Sequence, residues 1–104
     1  MKRGDVVRLA LGKPRPAVIV QDDRFETPAD VIVCPFTSTI LDAPIYRLHV
    51  PATPENGLQV DSQLMVDKIG PARRERIDGV IGQLGMEDMT RLTEAMAILL
   101  GVGR

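Results

Sequence analysis

Aromatic rings are scarce in this chain: Phe25, Phe36 and Tyr46 make up 3% of its 104 residues, and there is no tryptophan. A protein that binds single strands by stacking base after base on rings would carry more of them, and so would an adaptor groove for proline-rich peptides. Cysteine and histidine occur once each, as Cys34 and His49. One cysteine cannot form an internal disulfide, which fits a reducing compartment. One cysteine and one histidine cannot build the usual zinc site, and a two-histidine acid/base pair is impossible. Neither G-x-G-x-x-G nor G-x-x-x-x-G-K-[ST] occurs, so the common phosphate cradles are missing. No apolar run approaches the roughly 18–20 residues needed to span a bilayer. Met1-Lys2-Arg3-Gly4-Asp5 turns polar at once, unlike a secretion leader, so a cytoplasmic protein with no membrane partner is expected. A basic excess is also lacking: 13 Lys and Arg against 14 Asp and Glu give a net charge of -1. That argues against a protein that coats duplex nucleic acid, while leaving room for one local basic groove.

What is present reads as a single domain over residues 1–104, mainly β with a C-terminal helix. Asp5-Val6-Val7-Arg8-Leu9-Ala10-Leu11 alternates, with Val7, Leu9 and Leu11 on one face. Gly12-Lys13-Pro14 is a tight connector. Ala17-Val18-Ile19-Val20 and Val31-Ile32-Val33-Cys34-Pro35-Phe36 are continuous apolar runs, as expected of strands covered on both faces. Tyr46-Arg47-Leu48-His49-Val50 alternates with His49 on the polar side, and Asn56-Gly57 is turn chemistry. Residues 62–69 read as another strand, and 73–84 as shorter, glycine-interrupted extended pieces. Short strands punctuated by turns suggest a small barrel or sandwich. The period then changes: Met89, Leu92, Met96, Leu99 and Leu100 recur at helical spacing, with Glu87 and Asp88 early and Gly101 as a stop. One amphipathic helix over 86–100 is expected, its Met and Leu stripe packed on the barrel.

Few residues are equipped for chemistry. Cys34 lies inside an apolar run and reads as a small buried hydrophobe. His49 reads as an inert side chain on an exposed strand face. Arg3-Gly4-Asp5 spells a cell-adhesion tripeptide, but its plain reading is a turn into the first strand. There remain Arg15, held between Pro14 and Pro16, and Thr37-Ser38-Thr39 at the end of the second apolar run. An arginine on a constrained backbone loses less entropy when it grips a phosphate, and its planar fork can neutralise a phosphorane-like transition state. The hydroxyls of Thr37 and Ser38 can bond non-bridging oxygens. The same residues also fit a surface salt-bridging arginine and an ordinary strand end, and the residues by themselves leave both open.

The order of these blocks is more specific than any one of them. Arg3-Gly4-Asp5-Val6-Val7, Arg15-Pro16-Ala17-Val18-Ile19-Val20 and Pro35-Phe36-Thr37-Ser38 resemble the MazF/PemK toxin family. So do Asn56-Gly57-Leu58, then Ser62-Gln63-Leu64-Met65-Val66-Asp67-Lys68-Ile69, Arg73-Arg74-Glu75-Arg76-Ile77 and the closing helix. The resemblance covers nearly the whole chain. It implies an SH3-like, partly open β-barrel with a C-terminal helix, acting as a homodimer in the cytoplasm. It further implies a sequence-specific endoribonuclease that cuts single-stranded RNA without metal or other cofactor. A cognate antitoxin, with a disordered tail that folds over the active groove, would hold it inactive. The family's catalytic arginine falls on Arg15 and its catalytic threonine on Thr37. Ser38, Gln21, Asp67 and Lys68 fall at or beside groove-lining positions, and Lys13 could add phosphate attraction or be a solvated loop lysine. Arg73, Arg74 and Arg76 could form a phosphate patch or pair with Glu75, Asp78 or a dimer mate.

The connector Gly12-Lys13-Pro14 is shorter than in many relatives, which affects the substrate contacts such a loop would make. Other readings are a gyrase-poisoning toxin of the CcdB type, a peptide-binding SH3-like module, or a relative that has lost catalysis. The first of these acts through a C-terminal tryptophan, which this chain lacks.

Overall fold

The computed structural model describes residues 1–10 and 12–103, so the expectation for Leu11 lies outside the described residues. Strands β1 (Asp5–Leu9), β2 (Arg15–Ile19), β3 (Asp30–Thr37), β4 (Arg47–Val50), β5 (Ser62–Met65), β6 (Gly70–Arg73) and β7 (Ile77–Gln83) precede one helix, α1 (Met86–Leu100). All pairings are antiparallel, in the order β4-β5-β3-β2-β1-β7, with β6 added to β3. The sheet does not close. β3 is the pivot: Asp30–Val33 pair with β6, whereas Phe36 and Thr37 pair with β5. One strand therefore serves two neighbours in succession, and the sheet curls around it.

The apolar runs explain the layering. Val6, Val18, Cys34 and Phe36 point to one side, where they meet Leu48, Val50, Leu64, Val66, Leu92 and Ala95. Val7, Leu9, Ala17, Ile19, Val31 and Val33 point to the other and form a second buried cluster against Ala72 and Ile77. Strands with both faces covered need apolar residues at successive positions, and β1 to β3 have them.

The expected helix spans 86–100 as predicted, stopped by Gly101 in the left-handed conformation at φ 68°. Its stripe does not all serve as core. Leu92 and Ala95 are buried and Met89 and Met96 half-buried, but Leu99 and Leu100 are exposed. Nothing among the described residues covers that last turn. A second difference lies at 62–69, where β5 stops at Met65 and a 3-10 turn, Val66–Lys68, follows. Val66 is buried there, and the Asp67 carboxylate pairs with the Arg47 guanidinium. Residues 73–84 similarly divide into the end of β6, a 3-10 turn at Arg74–Arg76, and β7. Among the described residues no helix is long and apolar enough to cross a membrane.

Candidate active site

The register Ala17 to Pro35, followed two residues further to the strand ends, sets Arg15 across from Thr37. Residues opposite each other in an antiparallel pair share a face. Both line one cleft of about 640 Å³, together with Lys13, Ser38 and Thr39. Buried Phe36 and Leu58 contribute apolar wall, and Arg8 reaches the cleft from β1. Among the described residues the lining holds no carboxylate, imidazole or thiol. Its ionisable side chains are all cations, Arg8, Lys13 and Arg15, and its hydroxyls come from Thr37, Ser38, Thr39 and Ser62. Cations and hydroxyl donors without competing acids suit a phosphate-bearing ligand.

Local bonding fixes the hydroxyl end. Thr37 Oγ1 accepts the Thr39 amide at 3.1 Å, so its own hydrogen is left to donate outward. The loop beyond is pinned where the Leu41 amide donates to Gln63 Oε1 and Gln63 Nε2 donates to the Leu41 carbonyl, both at 3.0 Å. Gln63 is the β5 partner of Thr37 in the sheet. The opposite wall depends on Asn56-Gly57. Asn56 Oδ1 accepts the amides of Thr53 and Leu58, and its Nδ2 donates to the Pro51 carbonyl. Gly57 has φ +71°, and a Cβ there would lie 2.1 Å from the Ile81 carbonyl oxygen. The turn chemistry read in the sequence thus closes a seam between the 51–58 loop and β7.

Arg15, Thr37, Ser38 and Lys13 are brought together; Gln21, Asp67 and Lys68 are not among them. Gln21 is used inside its own loop. Its Nε2 donates to the Phe25 carbonyl and Thr27 Oγ1, and its Oε1 accepts the Ile32 amide. Asp67 is engaged by Arg47, with Nε–Oδ1 at 3.0 Å, and that bond holds its carboxyl below the ordinary 3.8. Lys68 lines a separate, mostly apolar hollow of about 420 Å³ beside β6, with Leu9, Val33, Pro71, Arg73 and Arg76. Within the basic run Arg73 pairs with Glu75 at 3.0 Å, and Arg74 Nε donates to the Thr27 carbonyl. Asp78 faces Arg8 instead. Cys34 is fully buried, and desolvation, reinforced by the Asp67 charge, pushes its thiol up to about 12. His49 is exposed. Among the described residues no three His, Cys, Asp or Glu side chains converge as a metal centre would require.

Sequence reasoning missed Arg8, Gln59 and Ser62 as cleft residues. Arg8 had a signal, since it is the one exposed position in a strand otherwise buried, Asp5–Leu9. Gln59 and Ser62 had none, because they arrive from a distant loop and strand.

Comparison with known proteins agrees with this architecture. A family model described as PemK-like, MazF-like toxin of type II toxin-antitoxin system matches residues 2–100. A probable endoribonuclease MazF of Mycolicibacterium smegmatis is 41% identical, with 98% of each chain covered. Endoribonuclease MazF9 of Mycobacterium tuberculosis is 29% identical over 96% of each. Among solved structures, a mycobacterial endoribonuclease in complex with its cognate antitoxin superposes with a TM-score of 0.80 at 25% identity, covering 100% of this chain and 98% of that one. With a match spanning almost its whole length, this chain belongs to the PemK-like, MazF-like toxins of type II toxin–antitoxin systems.

Proposed function

We propose that this MazF-family endoribonuclease toxin cuts single-stranded RNA, sequence-specifically and without metal, at the cleft where Arg15 and Thr37 meet. The observation that carries the reading is that Arg15, Thr37 and Ser38 line one cavity whose ionisable side chains are all cations. In the proposed reaction the 2′-hydroxyl of the substrate attacks the adjacent phosphorus and gives its proton to solvent. The bond from phosphorus to the 5′-oxygen breaks, and that oxygen takes a proton from water. The products are a 2′,3′-cyclic phosphate and a 5′-hydroxyl. Arg15 neutralises charge on the pentavalent phosphate, and Thr37 and Ser38 donate hydrogen bonds to its non-bridging oxygens. Lys13 draws the backbone in. Because the nucleophile comes from the RNA, the protein supplies charge and position, for which this donor set suffices.

The same reading gives the toxin a cytoplasmic site of action, a cognate antitoxin whose disordered tail covers the cleft, and a homodimeric state. The antitoxin complex among its structural relatives supports the second. The exposed apolar Ile98, Leu100 and Val102, beside an open sheet, support the third.

The decisive test is digestion of single-stranded RNA in EDTA, with end mapping, by native protein and by Arg15→Ala. Cleavage by the native protein alone, leaving cyclic phosphate ends, is expected. Cleavage by Arg15→Ala at the native rate, or a strict need for added metal, overturns the mechanism. A monomeric mass at micromolar concentration overturns the homodimer.

A further inference from the structure

We infer that Arg8 is a second phosphate-binding residue of the cleft, holding the RNA backbone beside the phosphate that is cut; the inference rests on the nuclease reading above.

Position is the first argument. In β1 only Arg8 is exposed, between buried Val7 and Leu9, so packing does not account for its long charged side chain. It stands opposite Pro16 in the β1–β2 register, and Leu9 stands opposite Arg15. Arg8 and Arg15 therefore leave opposite faces of the strand pair at one end of it, and both line the cleft that opens at that end. β1 and β3 lie on opposite sides of β2. That puts Arg8 two strand spacings, roughly 10 Å, from the strand that carries Thr37. The separation is too wide for both to grip one phosphate, and it suits a chain that crosses the strand ends with successive phosphates met in turn.

Charge is the second argument. Arg8 faces Asp78 of β7, with Nε–Oδ2 at 3.6 Å and both side chains largely exposed. A pair that long and that wet is weak, so it orients the guanidinium without consuming it. Asp78 is outside the cleft lining, and the guanidinium it steers is inside. A phosphate entering the cleft competes with Asp78 for the same donors and wins by forming shorter, forked bonds.

The test uses a labelled single-stranded RNA that the native protein is first shown to cut, and the same strand remade with 2′-O-methyl groups for equilibrium binding. Arg8→Gln should raise KM, and Kd for the uncleavable strand, by about tenfold. Its kcat should stay within about twofold, because the residue does not touch the reacting phosphate. The slope of log Kd against log salt should fall by about 0.7, as for one lost phosphate contact on a single strand. Arg8→Lys should restore most of the binding, and Asp78→Asn should tighten it by roughly two- to threefold by removing the competing charge. Lys2→Gln makes the same charge change outside the cleft and controls for net charge. If Arg8→Gln matches Lys2→Gln in KM and salt slope, the assignment is wrong. If Arg8→Gln instead loses kcat as Arg15→Ala does, the residue acts at the cut phosphate and the flanking role is wrong. Native protein that cuts, an inert Arg15→Ala and a silent Arg8→Gln would remove this inference and spare the nuclease reading. Native protein that cuts no RNA removes both.

Discussion

Two hollows on this protein carry arginine, and they are built differently. The cleft at the β2–β3 end combines Lys13, Arg15 and Arg8 with the hydroxyls of Thr37, Ser38, Thr39 and Ser62. The hollow beside β6 has Lys68, Arg73 and Arg76 at its rim, around Leu9, Val33, Pro35, Pro71 and Ala72. Among the described residues it contains no hydroxyl, and Arg73 is already paired with Glu75. Positive charge alone attracts a polyanion, but a phosphate being cut also needs short directional donors beside the cation. If the proposed site is right, a basic run in a sequence is a poor guide to the reactive site, and a lone arginine beside a Thr-Ser strand end is a better one.

The sharpest way to break the contrast is to truncate arginines in both places. Arg15→Ala should lower kcat/KM on a fluorogenic RNA by about 10³-fold or more. Arg73→Ala and Arg76→Ala should stay within about threefold of native, as expected for exposed cations outside the chemistry. Equal losses on both sides would merge the two hollows into one functional surface.

Thr37→Val tests the hydroxyl half. It keeps the β-branched shape and removes the donor, so kcat should fall by about 10²-fold with KM moving less. A loss confined to KM would reduce Thr37 to a binding residue.

Backbone tolerance should divide the same way. Gly57 in the cleft wall sits at φ +71° against the Ile81 carbonyl, whereas a Cβ on Gly70 in the β6 hollow meets nothing within 4 Å. Gly57→Ala should therefore cost about 3 kcal/mol and lower Tm by roughly 10 °C or more. Gly70→Ala should leave Tm within about 3 °C. Thermal melts of the two variants settle the point.

The smallest effect is expected from pH and falls on the β6 side, where Asp67 adjoins Lys68. The Arg47 bond holds the Asp67 carboxyl below its ordinary 3.8 in the folded protein. A carboxylate depressed on folding stabilises the fold above the unfolded value and loses that contribution as pH falls through the folded one. The urea midpoint should decline on acidification below pH 3.8, and less steeply in Asp67→Asn. Identical acid profiles would mean that the pair contributes nothing to stability.

Much of this could be read from residue order. The continuous apolar runs at 17–20 and 31–36 required strands covered on both faces, and the two buried clusters cover them. Helical spacing over 86–100 marked the helix to its residue limits. In each case the information is local: which side of a strand or helix a residue occupies follows from its period. That Arg15 and Thr37-Ser38 would fall at strand ends was legible for a similar reason, because Arg15 precedes one apolar run and Thr37-Ser38 follow the next.

The rest was decided in three dimensions. Whether Leu99 and Leu100 are covered depends on what packs against the helix's last turn, and no helical period encodes that. The turn at Val66–Lys68, with Val66 buried and Asp67 paired to Arg47 of a distant strand, follows from contacts that no local period encodes. Gln21 and Lys68 keep company set by their own loop and hollow rather than by the cleft. Arg8 joined the cleft only because β1 is laid beside β2 in a register that brings it next to Arg15. Residue types and their periods set which elements form and which faces are apolar, since those are short-range preferences of the chain. Which distant side chains share one cleft was settled by the pairing of strands, because pairing joins positions that lie far apart along the chain.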